Sequence, residues 1–266
     1  TKLSRLLPVF EAVDTIIRAA YVRTDRFPFG RDAMDVKRYM SLAIIALTPS
    51  FLASLYFFGW RMILLLAVSY VAGGTVEVLF SFIRKEEVNE GFLVTGFIFP
   101  LILPPGLPLW VVAVGVIFGT IVGKEIFGGT GRNLFNPALV GRIFLALGYP
   151  ALMTSAWIEP VAGTWGRLGS PFTIRAVDAV TSATPLVAAK GGVITAPLDL
   201  FLGSSLGSAG ETSALAIILG GVFLVAVGIA NWKTVLSILI SFAGLNALLR
   251  AISPDAVAPV WFNLMS

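Results

Sequence analysis

The chain has 266 residues, 57% of them hydrophobic and only 13% charged, about half the charged share of ~25% usual in soluble domains. A soluble fold could not hide that much apolar surface behind a charged exterior, so the composition describes an all-α polytopic integral membrane protein. Cysteine and histidine are absent from the sequence and the net charge is +4, which excludes iron–sulfur ligation, thiolate zinc sites and His-dependent triads, and reads as a topology signal rather than a nucleic-acid footprint.

The amino-terminal stretch TKLSRLLPVFEAVDTIIRAA is amphipathic, with no long apolar core and no small-residue cleavage site. It reads as a surface helix, and 1–38 as a cytoplasmic amphipathic segment. Full spans need roughly 20 apolar residues, and they are expected at Ser41–Trp60, Met62–Ile83, Leu107–Val122, Ala214–Asn231 and Thr234–Ile252. Two apolar stretches are shorter. Gly91–Leu103 runs into PPGLP, and Asn136–Pro150 has proline near each end and carries Arg142. Short segments interrupted by Pro or Gly mark broken helices that line a site, although tilted spans remain open.

Positive charge orients the bundle. Lys2, Arg5, Arg18, Arg23, Arg26, Arg31, Lys37 and Arg38 precede the first span; Arg84, Lys85, Lys124, Arg132 and Lys233 fall in loops on the same side. The other side has Arg61, Arg167, Arg175, Lys190 and Arg250, and the PPGLP turn has no charge. The amino terminus is therefore expected in the cytoplasm and the Gly/Ser/Thr/Pro-rich segment 151–212 outside. The domains read as that amino-terminal segment, a first transmembrane repeat over 39–150, the external loop 151–212, and the start of a second repeat over 213–266.

Three stretches carry candidate chemistry. In KEIFGGTGRNLFNPALVGR, glycines 128, 129 and 131 let backbone approach a ligand, and Asn133 and Asn136 offer amides where polar groups are costly unless paired. The preceding GTIVGKE is not a P-loop, since its spacing is short and Glu125 follows the lysine. A tight turn whose asparagines cap a helix opening at Pro137 fits the same residues. In DAVTSATPL, hydroxyls at Thr181, Ser182 and Thr184 cluster near Asp178. No base stands ready to activate a nucleophile there, but an exposed threonine among small residues accepts enzymatic modification; an ordinary Ser/Thr turn also fits. In VAGGTVEVLF, Glu77 is an acid inside an apolar helix with Gly73 and Gly74 about one turn away. Such acids face a polar cavity or a partner, and the glycines leave room for a flat ligand or for a close helix that pairs Glu77 with a cation.

Together these stretches resemble one family, the B subunits of the sodium-translocating NADH:quinone oxidoreductase. The matching pieces are FEAVDTIIRAAYVR, DAMDVKRYM, VAGGTVEVLFSFIRKEEVNEGF, LPPGLPLW, KEIFGGTGRNLFNPALVGR, DAVTSATPL and GSSLGSAGETSALA, in family order. The D subunit of ion-pumping ferredoxin:NAD oxidoreductases shares the NPA and SATPL-like elements. The resemblance implies a helical bundle of repeated halves with half-helices. It implies FMN joined to Thr184 by a phosphodiester bond that a flavin transferase makes, with Asp178 and Ser182 beside it. It further implies non-covalent riboflavin held by Asn133 and Asn136, a quinone region at Gly73 and Gly74, and Glu77, with Glu11, tied to Na+ or ubiquinone chemistry. No metal cofactor is implied. The subunit would relay electrons across the inner membrane of a bacterium, beside other subunits that oxidise NADH.

Ser182 departs from the family pattern, which usually has glycine there. The family also continues past the equivalent of Ser266, so only the first helical half is expected to be complete. Two rival readings are the ferredoxin:NAD-type subunit, which needs no quinone site, and a urea/ammonium-transporter-like channel or carrier, which also suits broken helices.

Overall fold

The computed structural model describes residues 36–85, 91–160, 184–190, 194–254 and 257–265, and those are all helices and loops. Helix α1 spans Val36–Phe58 and α2 spans Trp60–Arg84. The two are joined at Gly59, whose φ of 65° lets the chain reverse within one residue. Helix α2 stops at Lys85, in the left-handed region, whose N–H donates to the Phe82 carbonyl.

Helix α3, Gly91–Leu101, and α5, Pro137–Gly148, are half-length. At 1.5 Å per residue they reach roughly 16–18 Å, about half of a ~30 Å hydrocarbon core. Between them α4, Leu109–Gly123, leads into a 3-10 turn at Glu125–Phe127. Ending a helix inside a bilayer leaves carbonyls that need donors. Gly210 donates to the Leu101 carbonyl at 2.7 Å and Ala209 to that of Leu103 at 3.1 Å, so an irregular segment from far along the chain closes the end of α3. Arg61, at the start of α2, caps the turn that follows: its guanidinium donates to the carbonyls of Pro105 and Leu107.

Phe99, Leu103, Leu107, Val111, Val112, Val116 and Leu145 are fully buried where α3, α4 and α5 meet Met62 and Leu65 of α2. Lipid tails are as apolar as leucine, so close packing rather than hydrophobic transfer must hold this seam. Gly115, Gly119 and Gly123 recur every fourth residue along α4 and let α5 approach its backbone. A Cβ added at Gly119 would press on the Pro137 carbonyl and lie 2.9 Å from the Gly141 nitrogen; one at Gly141 would lie 2.5 Å from the Gly115 carbonyl. Gly119→Val is therefore expected to cost about 1–3 kcal/mol or more, read as a lower unfolding temperature of the purified protein. A wild-type temperature would mean the helices can part at no cost.

Beyond the first bundle, α6 (Pro150–Ser155), α7 (Pro185–Lys190) and α8 (Pro197–Leu202) are short. They are followed by α9 (Ala214–Ala226), α10 (Trp232–Ile252) and α11 (Val260–Met265). The expected full span at Ala214–Asn231 needs correction: α9 has 13 residues and ends at Ala226. Gly228 turns the chain at φ 82°, the Ile229 and Ala230 N–H groups return to the Leu224 carbonyl, and Asn231 caps α10. Helix α9 lies on α1, with Gly220 against the Ala46 carbonyl. Helix α10 is long and apolar enough to cross a membrane, yet none of its residues is buried against the described chain. Arg142, the cation within α5, lies 3.7 Å from Glu211.

Candidate functional site

The site is built at the end of the bundle where α2 and α4 finish and α3 and α5 begin. Glu77 lies two turns before the end of α2, and Lys124 is the first residue after α4. The Lys124 ammonium donates to Glu77 Oε1, and both side chains are only 3% exposed. At that burial an unpaired charge is strongly disfavoured, so each ion is the condition for the other's presence. A second pair lies beside it. Arg84 donates to Glu125 Oε2 at 2.7 Å and also to the Glu125 backbone carbonyl.

The Gly128 turn follows directly. Gly128, Gly129 and Gly131 adopt φ of 106°, 93° and 86°, which only glycine takes without strain. Asn133 stabilises this turn from within: its Oδ1 accepts from Gly131 N–H at 3.2 Å and its Nδ2 donates to the Phe135 carbonyl at 2.9 Å. Asn136 is the N-cap of α5, its Oδ1 accepting from Ala138 N–H at 2.9 Å, with Pro137 in the first helical position. The capping geometry anticipated for this stretch is thus present at Asn136, while Asn133 organises the loop.

Above the ion pair lies a cavity of about 270 Å³ lined by Met40, Gly91, Thr95, Lys124, Thr130, Asn133 and Asn136, with Val94, Ile98, Leu134 and Phe135 among its apolar walls. The volume is near the lower end of ligand pockets, ~300–1,000 Å³, and the lining has the usual make-up of an apolar wall with a few polar groups. Thr130 Oγ1 is buried without a hydrogen-bond partner among the described residues. A buried hydroxyl left unmatched costs free energy. A flat, mostly apolar ligand with polar edges fits this lining; the Thr130 hydroxyl itself packs against Gly91, where an added Cβ would lie 2.5 Å from it.

Beside Glu77 the packing is tighter. A Cβ on Gly73 would lie 3.2 Å from Val116 Cγ2, and one on Gly74 would lie 3.6 Å from the Phe92 ring. The space next to both glycines is filled by α4 and α3, the close-helix arrangement.

Thr184 lies elsewhere, directly before α7, and its carbonyl accepts from Val187 and Ala188 N–H at 2.9 Å. Pro185 lines a small polar recess with Glu159, Pro160, Thr195 and Ser204. Glu159 and Pro160 follow Ala156, whose carbonyl takes the Gly106 N–H in the α3–α4 turn. Thr184 is therefore on the side of that turn, and Lys124 is at the other end of α4, roughly 20 Å away along the helix. Asp178, Ser182 and Glu11 lie outside the described residues.

Lys124, Thr130 and Arg84 do not stand out in the sequence as site residues. An acid within an apolar helix demands a cation, and that is the available signal. Which cation answers it depends on α3 and α4 folding back along α2, across 47 residues of chain.

Half-helices, a span-buried acid–lysine pair and an asparagine-lined cavity define a polytopic membrane protein with a polar site inside its bundle. The chain belongs to the NQR2, RnfD, RnfE family, whose sequence profile matches residues 23–266. Among its relatives is the Na(+)-translocating NADH-quinone reductase B subunit of Ectopseudomonas mendocina, 36% identical over 99% of this chain and 75% of the relative. The B subunit of the same enzyme from Azotobacter vinelandii is 37% identical over 93% of this chain and 70% of the relative. That of Pseudoalteromonas atlantica is 44% identical over 72% of this chain and 45% of the relative.

Proposed function

We propose that this chain is the membrane flavoprotein subunit of a sodium-translocating NADH:ubiquinone reductase, in the inner membrane of a bacterium with its amino terminus in the cytoplasm. The observation that carries the reading is the buried Glu77–Lys124 pair beneath a cavity lined by Asn133 and Asn136, in a chain whose relatives bear that enzyme's name. When bound, FMN and riboflavin supply one-electron exchange between the NADH-oxidising partner subunits and ubiquinone.

The protein's own part is positional. Thr184 offers the hydroxyl that a flavin transferase esterifies with FMN, with Asp178 and Ser182 as its sequence neighbours. Asn133 and Asn136 present amides to the edge of riboflavin, and the apolar walls exclude water. Gly73 and Gly74 bring α4 and α3 close to α2, and the quinone region lies along this seam. Glu77 takes the transported Na+, for which no resident metal site is needed.

The test is flavin content. In the purified complex, Asn133→Leu removes the two bonds that hold the turn as well as its remaining amide hydrogen, and is expected to weaken riboflavin retention about tenfold or more, measured by acid extraction and chromatography. Asn136→Asp keeps the cap oxygen while removing the amide donors, which separates ligand binding from helix capping. Wild-type riboflavin in both variants would place the flavin elsewhere.

A further inference from the structure

A separate groove of about 630 Å³ runs along the outer seam of α4 and α5. Phe118 and Val122 of α4 and Phe144 and Leu147 of α5 form its walls, and Phe127 and Phe135 of the intervening turn form one end. The Phe118 and Phe144 rings stack at 4.0 Å and 13°, which gives it a flat floor. Leu147 is 80% exposed and Phe135 60%, so the groove opens away from the described chain. Its α5 wall, from Val140 to Gly148, rises by about 12 Å, close to the depth of one leaflet of a ~30 Å hydrocarbon core.

The two ends of the groove differ. At the turn, Arg132 folds over Gly128, the neighbour of Phe127, with Nη1 3.4 Å from where a Cβ of Gly128 would stand. Arg84, Lys124 and Arg142 each face a carboxylate, whereas exposed Arg132 faces none among the described residues. At the other end Gly148 has open space beside it. A cation at one end and apolar walls beyond it match an amphiphile with an anionic head and a hydrocarbon tail. A partner's transmembrane helix crosses both leaflets, but this groove ends after one.

We propose that the groove holds an acyl chain of an anionic phospholipid from the adjacent leaflet, with its phosphate on Arg132. The guanidinium fork matches two phosphate oxygens, and a basic residue at headgroup level attracts anionic lipid. The tail gains no hydrophobic transfer, since the bilayer is as apolar as the groove. The walls therefore fix where the chain lies, and the head gives the selectivity. Phe135 also lines the cavity of Asn133 and Asn136, so the bound chain braces a wall common to both spaces.

Photolabelling of the purified complex in phosphatidylcholine nanodiscs tests this. The probes are a trace of phosphatidylglycerol with a diazirine on one acyl chain, or phosphatidylcholine with the same chain, and labelled peptides are read by mass spectrometry. Phosphatidylglycerol is expected to label residues 138–148 several-fold more than phosphatidylcholine. Arg132→Gln is expected to lower its labelling about fivefold, the effect of one basic residue at the surface, and Arg132→Lys to keep most of it. Gly148→Phe, which fills the open end, is expected to lower labelling by both lipids. Equal labelling by the two lipids in the wild type, or undiminished labelling in Arg132→Gln, overturns the proposal. Absence of label from 138–148, with cross-links there to a partner subunit, overturns it too and gives the groove to a protein helix.

Discussion

Glu77→Leu alone is expected to destabilise the purified protein by about 3–5 kcal/mol, because it leaves the Lys124 ammonium buried without its carboxylate. The double variant Glu77→Leu/Lys124→Met removes both charges and fills the space with apolar groups of similar size. It is expected to recover most of that loss, since a buried ion pair replaced by packed apolar residues is often neutral or better. Both effects are read from unfolding in detergent, followed by temperature or denaturant. The order of stabilities carries the information: wild type and double variant close together, single variant far below. A single variant as stable as the double would mean the ammonium reaches water, and the pair would then lose its claim to be buried. The same ordering separates stability from function, because the double variant is expected to fold and still fail to link Na+ to electron flow.

Thr184→Ala is expected to abolish the yellow fluorescent band that survives denaturation in SDS. A phosphodiester needs a side-chain oxygen, and alanine has none. Thr184→Ser keeps the oxygen and is expected to keep part of the band. Thr184 is partly exposed immediately before α7 and beside the polar recess of Pro185, Glu159 and Ser204, where a modifying enzyme can reach the chain. Mass spectrometry of the intact chain is expected to report the same loss, as a mass difference equal to one FMN. A band of undiminished intensity in Thr184→Ala would move the attachment to another hydroxyl, with Thr181 and Ser182 the nearest candidates in sequence.

Much of the fold was legible because bilayer thickness converts directly into residue counts. The long apolar runs became α1, α2, α4 and α10, and the Pro/Gly-interrupted runs became the half-helices α3 and α5. The end of α9 was not legible. Val227–Ala230 carries no polar side chain, and the positive φ of Gly228, settled by local hydrogen bonds, stops the helix at Ala226. The four-residue spacing of Gly115, Gly119 and Gly123 was in plain view, but its meaning depends on Gly141 and Pro137 lying opposite. At the site, Glu77 and the two asparagines stood out as polar groups in apolar surroundings. Lys124 did not, since a lysine at the end of a span ordinarily reaches for headgroups and water. Its inward turn is a tertiary fact, created by the position of Glu77 on the neighbouring helix.

The most direct measurement is NADH-driven uptake of 22Na+ into inverted membrane vesicles, recorded together with quinone reduction, for wild type and Glu77→Gln. Slower quinone reduction, with little Na+ moved per electron, is expected in the variant. Wild-type Na+ uptake at a wild-type rate of quinone reduction in Glu77→Gln would contradict a role for this carboxylate in carrying the ion.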